Sequence, residues 1–582
     1  MKEKEKQILI QMAEYVFIVL IVLFFMYQIL GLGKVRLADY PIIYESGDTL
    51  TGLVTVKSMA DNSWIYENPF LGAPYGTNSY DATTMDIFLN AMEQVLVWLT
   101  GNWILAYNLF YLSGYLLAAI AAYYALKQLK IPTLIALPTS ILYTFLPYHQ
   151  QRGTGHLFLG MYFMVPIMVL YLYRLMNGEL IFHKGDKGWL TPSNVLRFIA
   201  LMIMALTGIY YAFFTCFFLC VVILYSILNK EDLKRVKQAA ISIVIIVGTL
   251  LVSALPNFIY WMNHGKPDAI SKGGEGAELY ALKIIQLLLP RQGHRREIFM
   301  RLRNLYDSAY PLTNENGMSS LGIFMAAGFV ILCLVLFMRK RASKQSNLQT
   351  GSILNLAAIL FGTVGGYAVA LSFFTGAIRC YNRLSIFIAM FSLIAIDCVL
   401  QLVYEKWFQK RGLRIGFCVG MFCVMLCGIY DQTVPTNPAV YADFNRNFDA
   451  DAAFVQAIEA AENEQAMIYQ MPYMRYPENG GIHNITDYAH MFGYLHSDTL
   501  RWSYGAPVGR EGDQWMSAVN ELPLPDQITS IQEAGFAGIY IDWDAYLEDE
   551  RIAMEAILSD YVNADPIINV DGTKAYYSFN RE

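Results

Sequence analysis

The chain has 582 residues, of which 55% are hydrophobic, 14% aromatic and only 15% charged, and its formal net charge is -6. Apolar runs of about twenty residues recur from residue 12 to residue 430, each long enough to cross the hydrocarbon core of a bilayer. This composition excludes a soluble globular protein and predicts a polytopic α-helical membrane protein. Nothing in it indicates binding to nucleic acid.

We predict about eleven transmembrane helices from these runs. The first run follows MKEKEK and is too long for a signal peptide, so we interpret it as a span. GIYY at 208–211 is either an external turn between two short spans or a kink, and only the turn keeps the later basic loops on one side. The predicted spans are 12–34, 102–127, 132–148, 156–176, 196–209, 211–229, 238–262, 319–338, 352–375, 378–403 and 414–430.

Lysine and arginine in the short loops define the orientation, because positively charged loops stay in the cytoplasm. The N-terminus, the loop with Lys184 and Lys187, and RKRASK at 339–344 all fall on one side. We therefore predict a multi-pass plasma-membrane protein with a cytoplasmic N-terminus. The expected domains are a transmembrane domain, 1–430, with large outer loops at 35–101 and 263–318, and an extracytoplasmic domain, 431–582.

The first outer loop carries the first candidate site. Asp48, Asp81 and Asp86 lie in its polar stretch from Tyr44 to Asp86. Carboxylates held at a membrane surface suit general-base or metal-binding work on a lipid-borne substrate. The alternative is a solvated loop whose acids keep it out of the lipid. Apolar residues at helical spacing in 85–101 predict an interfacial helix.

The second outer loop contains a dense basic cluster, RQGHRREIFMRLR at 291–303. Such a cluster is unusual outside the cytoplasm, so we expect it to have an anionic partner. Phosphate binding by Arg291, His294, Arg295 and Arg296 is one reason, since arginine supplies bidentate donors. Pairing with lipid phosphates or with the acids of the first loop is the other.

Further polar residues lie at outward ends of spans. A lone histidine such as His156, after Arg152, is more often an interfacial residue than a catalyst. Glu315 precedes a span, and Arg379 and Arg383 begin another. Being four residues apart, these two arginines are predicted to share a helix face and to need an anionic partner, either Asp48 or a substrate phosphate.

The alternation of helical and strand-like segments in the C-terminal region predicts a small α/β domain. Residues 452–463 have helical periodicity, 465–472 and 574–579 are strand-like, and 528–546 indicate helix, glycine turn and buried strand. Asp542 and Asp544 fit a turn after that strand. Arg501 and Arg510 flank an aromatic patch (Trp502, Tyr504 and, further on, Trp515) that suits either stacking on sugars or a packed core.

The chain resembles the GT-C superfamily of polytopic glycosyltransferases in three features. These are an acid in the large first outer loop, Asp48, an interfacial helix before the second span, and an outward domain after many spans. More narrowly, six segments resemble a family of bacterial membrane proteins of this type. They are NPFLGAPYG (68–76), LPYHQQRGTGHLFLG (146–160), GIYYAFF (208–214), IRCYNRLSIFIA (378–389), LRWSYGAPVGR (500–510) and GFAGIYID (535–542).

The resemblance implies inverting sugar transfer from a polyprenyl-phosphate donor to an envelope glycopolymer, glycolipid or protein. Membrane lipid is a further expected partner. By that resemblance Asp48 is the general base or the residue that orients the acceptor hydroxyl, and the groups at 291–296 with Arg379 and Arg383 hold the lipid phosphate. A divalent metal is possible, with Asp81 or Asp86 joining Asp48. The alternatives are a flippase for a lipid-linked saccharide, which should have polar or broken helices at the midplane, and a non-catalytic assembly protein.

Overall fold

The computed structural model describes residues 3–81, 85–185, 188–267, 276–310, 314–338, 346–374, 376, 378–562 and 564–579. This part of the chain is mostly helical. Its α-helices are α1 Glu3–Ile29, α2 Asp48–Asn62, α3 Ile87–Thr100, α4 Trp103–Gln128, α5 Thr133–Thr144, α6 Pro147–Gly155, α7 Met164–Met176, α8 Pro192–Ala205, α9 Ile209–Leu228, α10 Leu233–Ser253, α11 Leu255–His264, α12 Gly276–Leu279, α13 Ile284–Leu288, α14 Glu297–Ala309, α15 Gly322–Val335, α16 Ser346–Gly362, α17 Val369–Ser372, α18 Ser385–Trp407, α19 Arg411–Gln432, α20 Pro438–Ala461, α21 Met491–Leu495, α22 Glu511–Asn520, α23 Leu524–Glu533 and α24 Glu548–Leu558.

Six helical segments among the described residues are long and apolar enough to cross a membrane: Glu5–Ile29, Trp103–Gln128, Ile209–Leu228, Leu233–Ser253, Tyr381–Trp407 and Arg411–Gln432. The other predicted spans correspond to shorter helices, so the count of about eleven stays a prediction. The orientation also stays a prediction, and Lys187 and 339–344, on which it partly depends, lie outside the described residues.

Two predicted spans have wrong boundaries at prolines. The segment that joins the predicted spans 132–148 and 156–176 is largely the helix α6, because Pro147 occupies its first turn and fits there without an N–H. The next span helix, α7, consequently begins at Met164 and not at 156. The predicted span 238–262 begins earlier, at Leu233, and breaks after Ser253, where Pro256 lies in the first turn of α11.

The predicted spans 352–375 and 378–403 also end differently. The first is the helix α16, which ends at Gly362, and the second begins only at Ser385. Arg379 therefore lies in irregular chain and Arg383 in a 3-10 helix, Tyr381–Leu384, so the prediction of a shared α-helix face is wrong. Between α8 and α9, by contrast, Gly208 with φ of 141° separates two helices at the predicted turn.

The C-terminal region forms a five-stranded sheet in the order β4-β3-β5-β7-β6, with β3 parallel to β4 and β5 and with β7 antiparallel to β5 and β6. The strands are β3 Met467–Met471, β4 Arg501–Trp502, β5 Phe536–Asp542, β6 Ile567–Ile568 and β7 Lys574–Ser578; a small hairpin in the first outer loop pairs β1 Glu67–Asn68 with β2 Thr77–Asn78. The three predicted strands of this region match β3, β5 and β7.

The two faces of this sheet pack against different neighbours, because side chains alternate along a strand. Tyr540 on β5 faces the large core that continues through the transmembrane helices. Its neighbours Ile539 and Ile541 belong to a separate core with α22, α23 and α24. The fold therefore ties one face of the C-terminal sheet directly to the transmembrane part.

Candidate functional site

Asp48 is the first residue of α2, a helix within the stretch that the sequence predicts as a polar loop. Gly47 precedes it with φ of 79°, a conformation that glycine adopts without strain. Buried Leu50, Leu53 and Val54 anchor one side of the helix. The opposite side presents the Asp48 carboxylate at the helix N-terminus, where a negative charge is favourable.

His156 lies next to Asp48, with Nδ1 at 3.3 Å from Asp48 Oδ2. The same Nδ1 lies 2.7 Å from the Gly155 carbonyl oxygen. Because a carbonyl oxygen only accepts, Nδ1 carries the proton and donates it to Gly155. Burial and the charge of Arg152 lower the pKa of His156 below its usual range, against the opposing effect of Asp48. His156 is therefore neutral at pH 7, and its ring lies against the Asp48 carboxylate.

Arg152, one turn before His156, forms an ion pair. It is buried, and its guanidinium bonds the Glu315 carboxylate. Burial alone would raise the pKa of Glu315, but the hydrogen bond and charge of Arg152 lower it below the usual range. The pair thus holds the segment before α15 against α6.

Arg383 has a different environment, although it is also buried, at 7% exposure. Its guanidinium carbon lies 4.1 Å from the centre of the Tyr210 ring, a cation–π contact. Among the described residues, its Nε has no hydrogen-bond partner. A buried cation with an unused donor is costly unless an anion reaches it.

Asp86 is the second carboxylate near this cation. It directly precedes α3 and is half-buried, and its Oδ1 is buried without a hydrogen-bond partner in the described part of the chain. Burial raises the pKa of Asp86 from 3.8 to about 6, and the positive charge of Arg383 partly offsets that effect. Asp86 therefore changes its charge within the physiological range.

These groups meet at a cavity of about 290 Å³, which we call the inner cavity. Asp48, Thr51, Gly52 and Thr55 form one face of α2 and line it, since residues three and four apart share a helix face. Asp86, His156, Tyr210 and Arg383 also line it, with backbone and apolar groups of 155–159 and 208–209. A second cavity, of about 540 Å³, is lined by Gly47, Asp48 and residues between 478 and 488; we call it the outer cavity. Asp48 is the described residue that lines both.

Asp81, Arg501 and Arg510 have structural contacts elsewhere. Arg510 Nε and Nη2 donate to the two carboxylate oxygens of Asp81 at 2.7 and 2.5 Å, and Trp261 Nε1 also donates to Asp81. Arg501 donates to the carbonyls of Pro69 and Pro74. None of the three lines the inner or the outer cavity. They join the C-terminal region to the first outer loop.

The basic cluster at 291–296 also has local partners, at the end of α19. The contacts are Arg291 to Gln150 Oε1 and Gln432 O, His294 Nε2 to Asp431 Oδ1 at 3.3 Å, Arg295 to Thr433 O and Oγ1, and Arg295 and Arg296 over the Tyr430 ring. Arg379 lies over the Tyr280 ring. None of these basic residues lines either cavity beside Asp48.

The aromatic patch of the C-terminal region is part of a packed core, because Trp502 and Tyr504 are buried. No motif in the segment 478–488 connects it with Asp48, so the sequence does not reveal that this segment lines the outer cavity. Tyr210, which lies in the segment GIYYAFF, carries no signal of its own that predicts its contact with Arg383. Within the described residues no group of three or more His, Cys, Asp or Glu is placed to hold a metal ion.

A family profile described as "Domain of unknown function (DUF6311)" matches residues 94–377. No curated protein matches the chain in sequence.

Solved structures share the fold. ArnT from Cupriavidus metallidurans in the apo state is 12% identical with a TM-score of 0.52, and the match covers 98% of both chains. The same protein bound to undecaprenyl phosphate gives 11% identity, a TM-score of 0.50 and 97% of both chains. Arabinofuranosyltransferase AftD from Mycobacteria gives 11% identity and a TM-score of 0.52 over 98% of this chain but only 41% of its own.

These neighbours are GT-C glycosyltransferases, so the predicted resemblance is confirmed for the fold. Together with its apolar helices, this fold makes the chain a multi-pass membrane protein. At such low identity the likeness establishes the architecture, and the chemistry has to be argued from the site itself.

Proposed function

We propose that the chain is a membrane glycosyltransferase that moves a sugar from a polyprenyl-phosphate donor to an envelope acceptor on the extracytoplasmic face. The observation that carries the proposal is the position of Asp48, a carboxylate on the wall between two cavities. A base placed there can reach an acceptor on one side and a donor sugar on the other. The GT-C fold, shared with an ArnT structure that binds undecaprenyl phosphate, supports the donor class.

The inner cavity is assigned to the donor phosphate. Arg383 is buried at its edge and its Nε lacks a hydrogen-bond partner among the described residues, which suits a phosphate oxygen. Its packing on Tyr210 fixes the guanidinium before the ligand arrives, so little reorganisation is needed. Arg152 remains with Glu315 and supports this cavity without facing the phosphate.

Asp48 acts as the general base. The neutral His156 lies with Nδ1 at 3.3 Å from Asp48 Oδ2 and limits the movement of the carboxylate, whose other oxygen is left for the acceptor hydroxyl. The acceptor proton passes to Asp48, and the acceptor oxygen forms a bond to the anomeric carbon of the donor sugar. The bond from that carbon to the phosphate oxygen breaks, and its electron pair stays on the polyprenyl phosphate beside Arg383. A single displacement of this kind inverts the anomeric configuration.

The arrangement of domains follows from the same proposal. Residues 1–430 bind the lipid donor, and 431–582 complete the site on the extracytoplasmic side by closing the outer cavity over Asp48. A divalent ion shared by Asp48 and Asp86 stays a prediction, and the steps above do not depend on it. Addition and chelation of Mg²⁺ or Mn²⁺ during transfer decides whether one takes part.

The test is mass spectrometry of envelope glycans and glycolipids from cells with wild-type protein or with Asp48→Asn at matched expression. The substitution keeps the size of the side chain and removes its basicity, so we expect loss of one sugar modification. Asp39→Asn, an exposed first-loop acid outside both cavities, is the control and should leave the profile unchanged. An unchanged profile in Asp48→Asn contradicts catalysis, and accumulation of a complete lipid-linked saccharide indicates a flippase.

A further inference from the structure

A third cavity, of about 110 Å³, lies beside the inner cavity, and we call it the neutral cavity. Thr55 of α2 and Phe158 line both cavities, so the two spaces adjoin at these residues. A single water needs about 10–15 Å³, and the neutral cavity therefore has room for several waters or for one small polar molecule. A ligand whose phosphate is held at Arg383 in the inner cavity is next to this space.

The described lining of the neutral cavity is polar but carries no charge. Its polar groups are hydroxyls and side-chain amides, and they include Ser58, Asn68, Thr77, Ser79 and Asn90. None of its described lining residues is acidic, basic or a histidine. The inner cavity, by contrast, has Arg383 at its edge. A charged group that entered the neutral cavity would lose its hydration without gaining a partner of opposite charge there, which is costly.

Asn90 on α3 is a buried residue of this cavity whose hydrogen-bonding groups are unused. Its side chain is 1% exposed, and neither its Nδ2 nor its Oδ1 has a partner in the part of the chain that the structure describes. Buried amides are normally hydrogen-bonded, and an unsatisfied one costs free energy. The amide presents a donor and an acceptor side by side. Two neighbouring sugar hydroxyls, each of which both donates and accepts, satisfy both groups.

The wall around Asn90 is held in place by hydrogen bonds of its own. Asn68 Nδ2 on β1 donates to Ser58 Oγ on α2 at 3.1 Å. Thr77 Oγ1 on β2 donates to the carbonyl of Gly505, in the C-terminal region. The first outer loop and the C-terminal region therefore form this cavity before a ligand binds, which reduces the entropy lost on binding.

We propose that the neutral cavity holds the sugar ring of the donor and selects a monosaccharide without a charged group. With the donor phosphate at Arg383, the ring lies past Thr55 in the neutral cavity. The anomeric carbon then stays in the inner cavity, where Asp48 activates the acceptor. Asn90 donates from Nδ2 to one sugar hydroxyl and accepts at Oδ1 from its neighbour. This assignment rests on the proposed glycosyltransferase function and adds to it the class of sugar.

The experiment measures binding of lipid probes to the full-length protein in lipid nanodiscs by native mass spectrometry. The reference probe is undecaprenyl methyl phosphate, a phosphodiester without a sugar. The other probes are undecaprenyl phosphate linked to a neutral sugar (glucose, galactose, mannose or arabinose), to anionic glucuronic acid or to cationic glucosamine.

We expect at least one neutral conjugate to bind about 10-fold more tightly than the reference, as two hydrogen bonds to a buried amide would give. Both charged conjugates should bind no more tightly than the reference. If no neutral sugar improves the affinity, the cavity holds ordered water only and the proposal is overturned. A charged conjugate that binds most tightly also overturns it.

Variants separate this proposal from the proposed function. Asn90→Leu keeps a side chain of similar size and removes both hydrogen-bonding groups, so the gain from the neutral sugar should disappear while the affinity for the reference stays unchanged. Gln94→Leu is the matched control, because Gln94 lies one turn further along α3, is similarly buried and lines neither the neutral nor the inner cavity. Thermal unfolding checks that both variants are folded.

The outcomes for the two proposals differ. An unchanged gain in folded Asn90→Leu, or an equal loss of the gain in Gln94→Leu, overturns the sugar assignment even if Asp48→Asn abolishes transfer. Failure of the wild-type protein to bind the reference or any conjugate contradicts the donor class of the proposed function, and the sugar assignment with it.

Discussion

Tyr44 and Asp451 are joined by a hydrogen bond of 2.8 Å, from the tyrosine hydroxyl to Asp451 Oδ2. The same hydroxyl lies 2.7 Å from His496 Nε2, and Lys574 Nζ donates to the other Asp451 oxygen at 2.8 Å. Tyr44 is four residues before Asp48 in sequence. The position of the proposed base therefore depends on α20, on β7 and on the turn after α21.

Tyr44→Phe should slow transfer about 10-fold with little change in donor KM, because a loosened loop places Asp48 less accurately. Loss of a hydrogen bond to a charged group should also cost about 2 kcal/mol of unfolding free energy. Tyr40→Phe is the matched control, since Tyr40 makes the same kind of bond to Asp449 farther from Asp48. Equal loss of rate in both variants would assign the effect to stability alone.

Arg383→Gln should lower kcat/KM for the lipid donor by about 100-fold, as expected when a positioned cation that stabilises developing charge is removed. Arg379→Gln is the control, because Arg379 lies over Tyr280 and outside the inner cavity. We measure initial rates against donor concentration for both variants. If Arg379→Gln has the larger effect, the donor phosphate does not bind where we propose.

Asp86→Asn should stabilise the protein clearly more at pH 7.5 than at pH 4.5. The folded pKa of Asp86 is about 6, above its ordinary 3.8. Between these values the folded protein holds a proton that the unfolded chain releases, so stability falls as pH rises through this window. The cost above pH 6 is about 3 kcal/mol, and Asn removes it. Thermal unfolding at the two pH values checks this, and an equal gain at both would contradict it.

Asp81→Asn should destabilise the protein by about 3 kcal/mol without changing donor KM, because it leaves Arg510 without its bidentate partner. Arg501→Gln, which removes only hydrogen bonds to backbone carbonyls, should cost about 1 kcal/mol. Unfolding midpoints and donor kinetics are measured on the same preparations. A rise in donor KM for Asp81→Asn would place Asp81 in the site.

Sequence indicated Asp48 because a carboxylate in a polar outer loop can be recognised locally, and Arg383 because a cation in an apolar segment needs a partner. It could not indicate that 478–488 lies over Asp48, since that contact joins parts of the chain more than 400 residues apart. It also favoured the cluster at 291–296, whose charge is visible in sequence, whereas the carbonyls of Gln432 and Thr433 that accept its hydrogen bonds are not.

The secondary-structure boundaries also separate features that are visible locally in the sequence from features that are not. Strands β3, β5 and β7 were predicted because their apolar residues and glycine turns are local signals. The ends of α5 and α10 and the start of α18 were not, because a proline or glycine in an apolar run does not by itself distinguish a kinked span from two helices. Because α18 begins only at Ser385, Arg379 and Arg383 do not lie on one face of it.

The alternation of side chains along β5 makes the chain sensitive to a change of a single residue. Insertion of one residue before Ile539 would turn Tyr540 toward the helices α22 to α24 and bring an aliphatic side chain against the transmembrane core. Both packing surfaces would then be mismatched, although the composition of the strand would hardly change. Related chains should therefore vary in length outside this strand and keep its length constant.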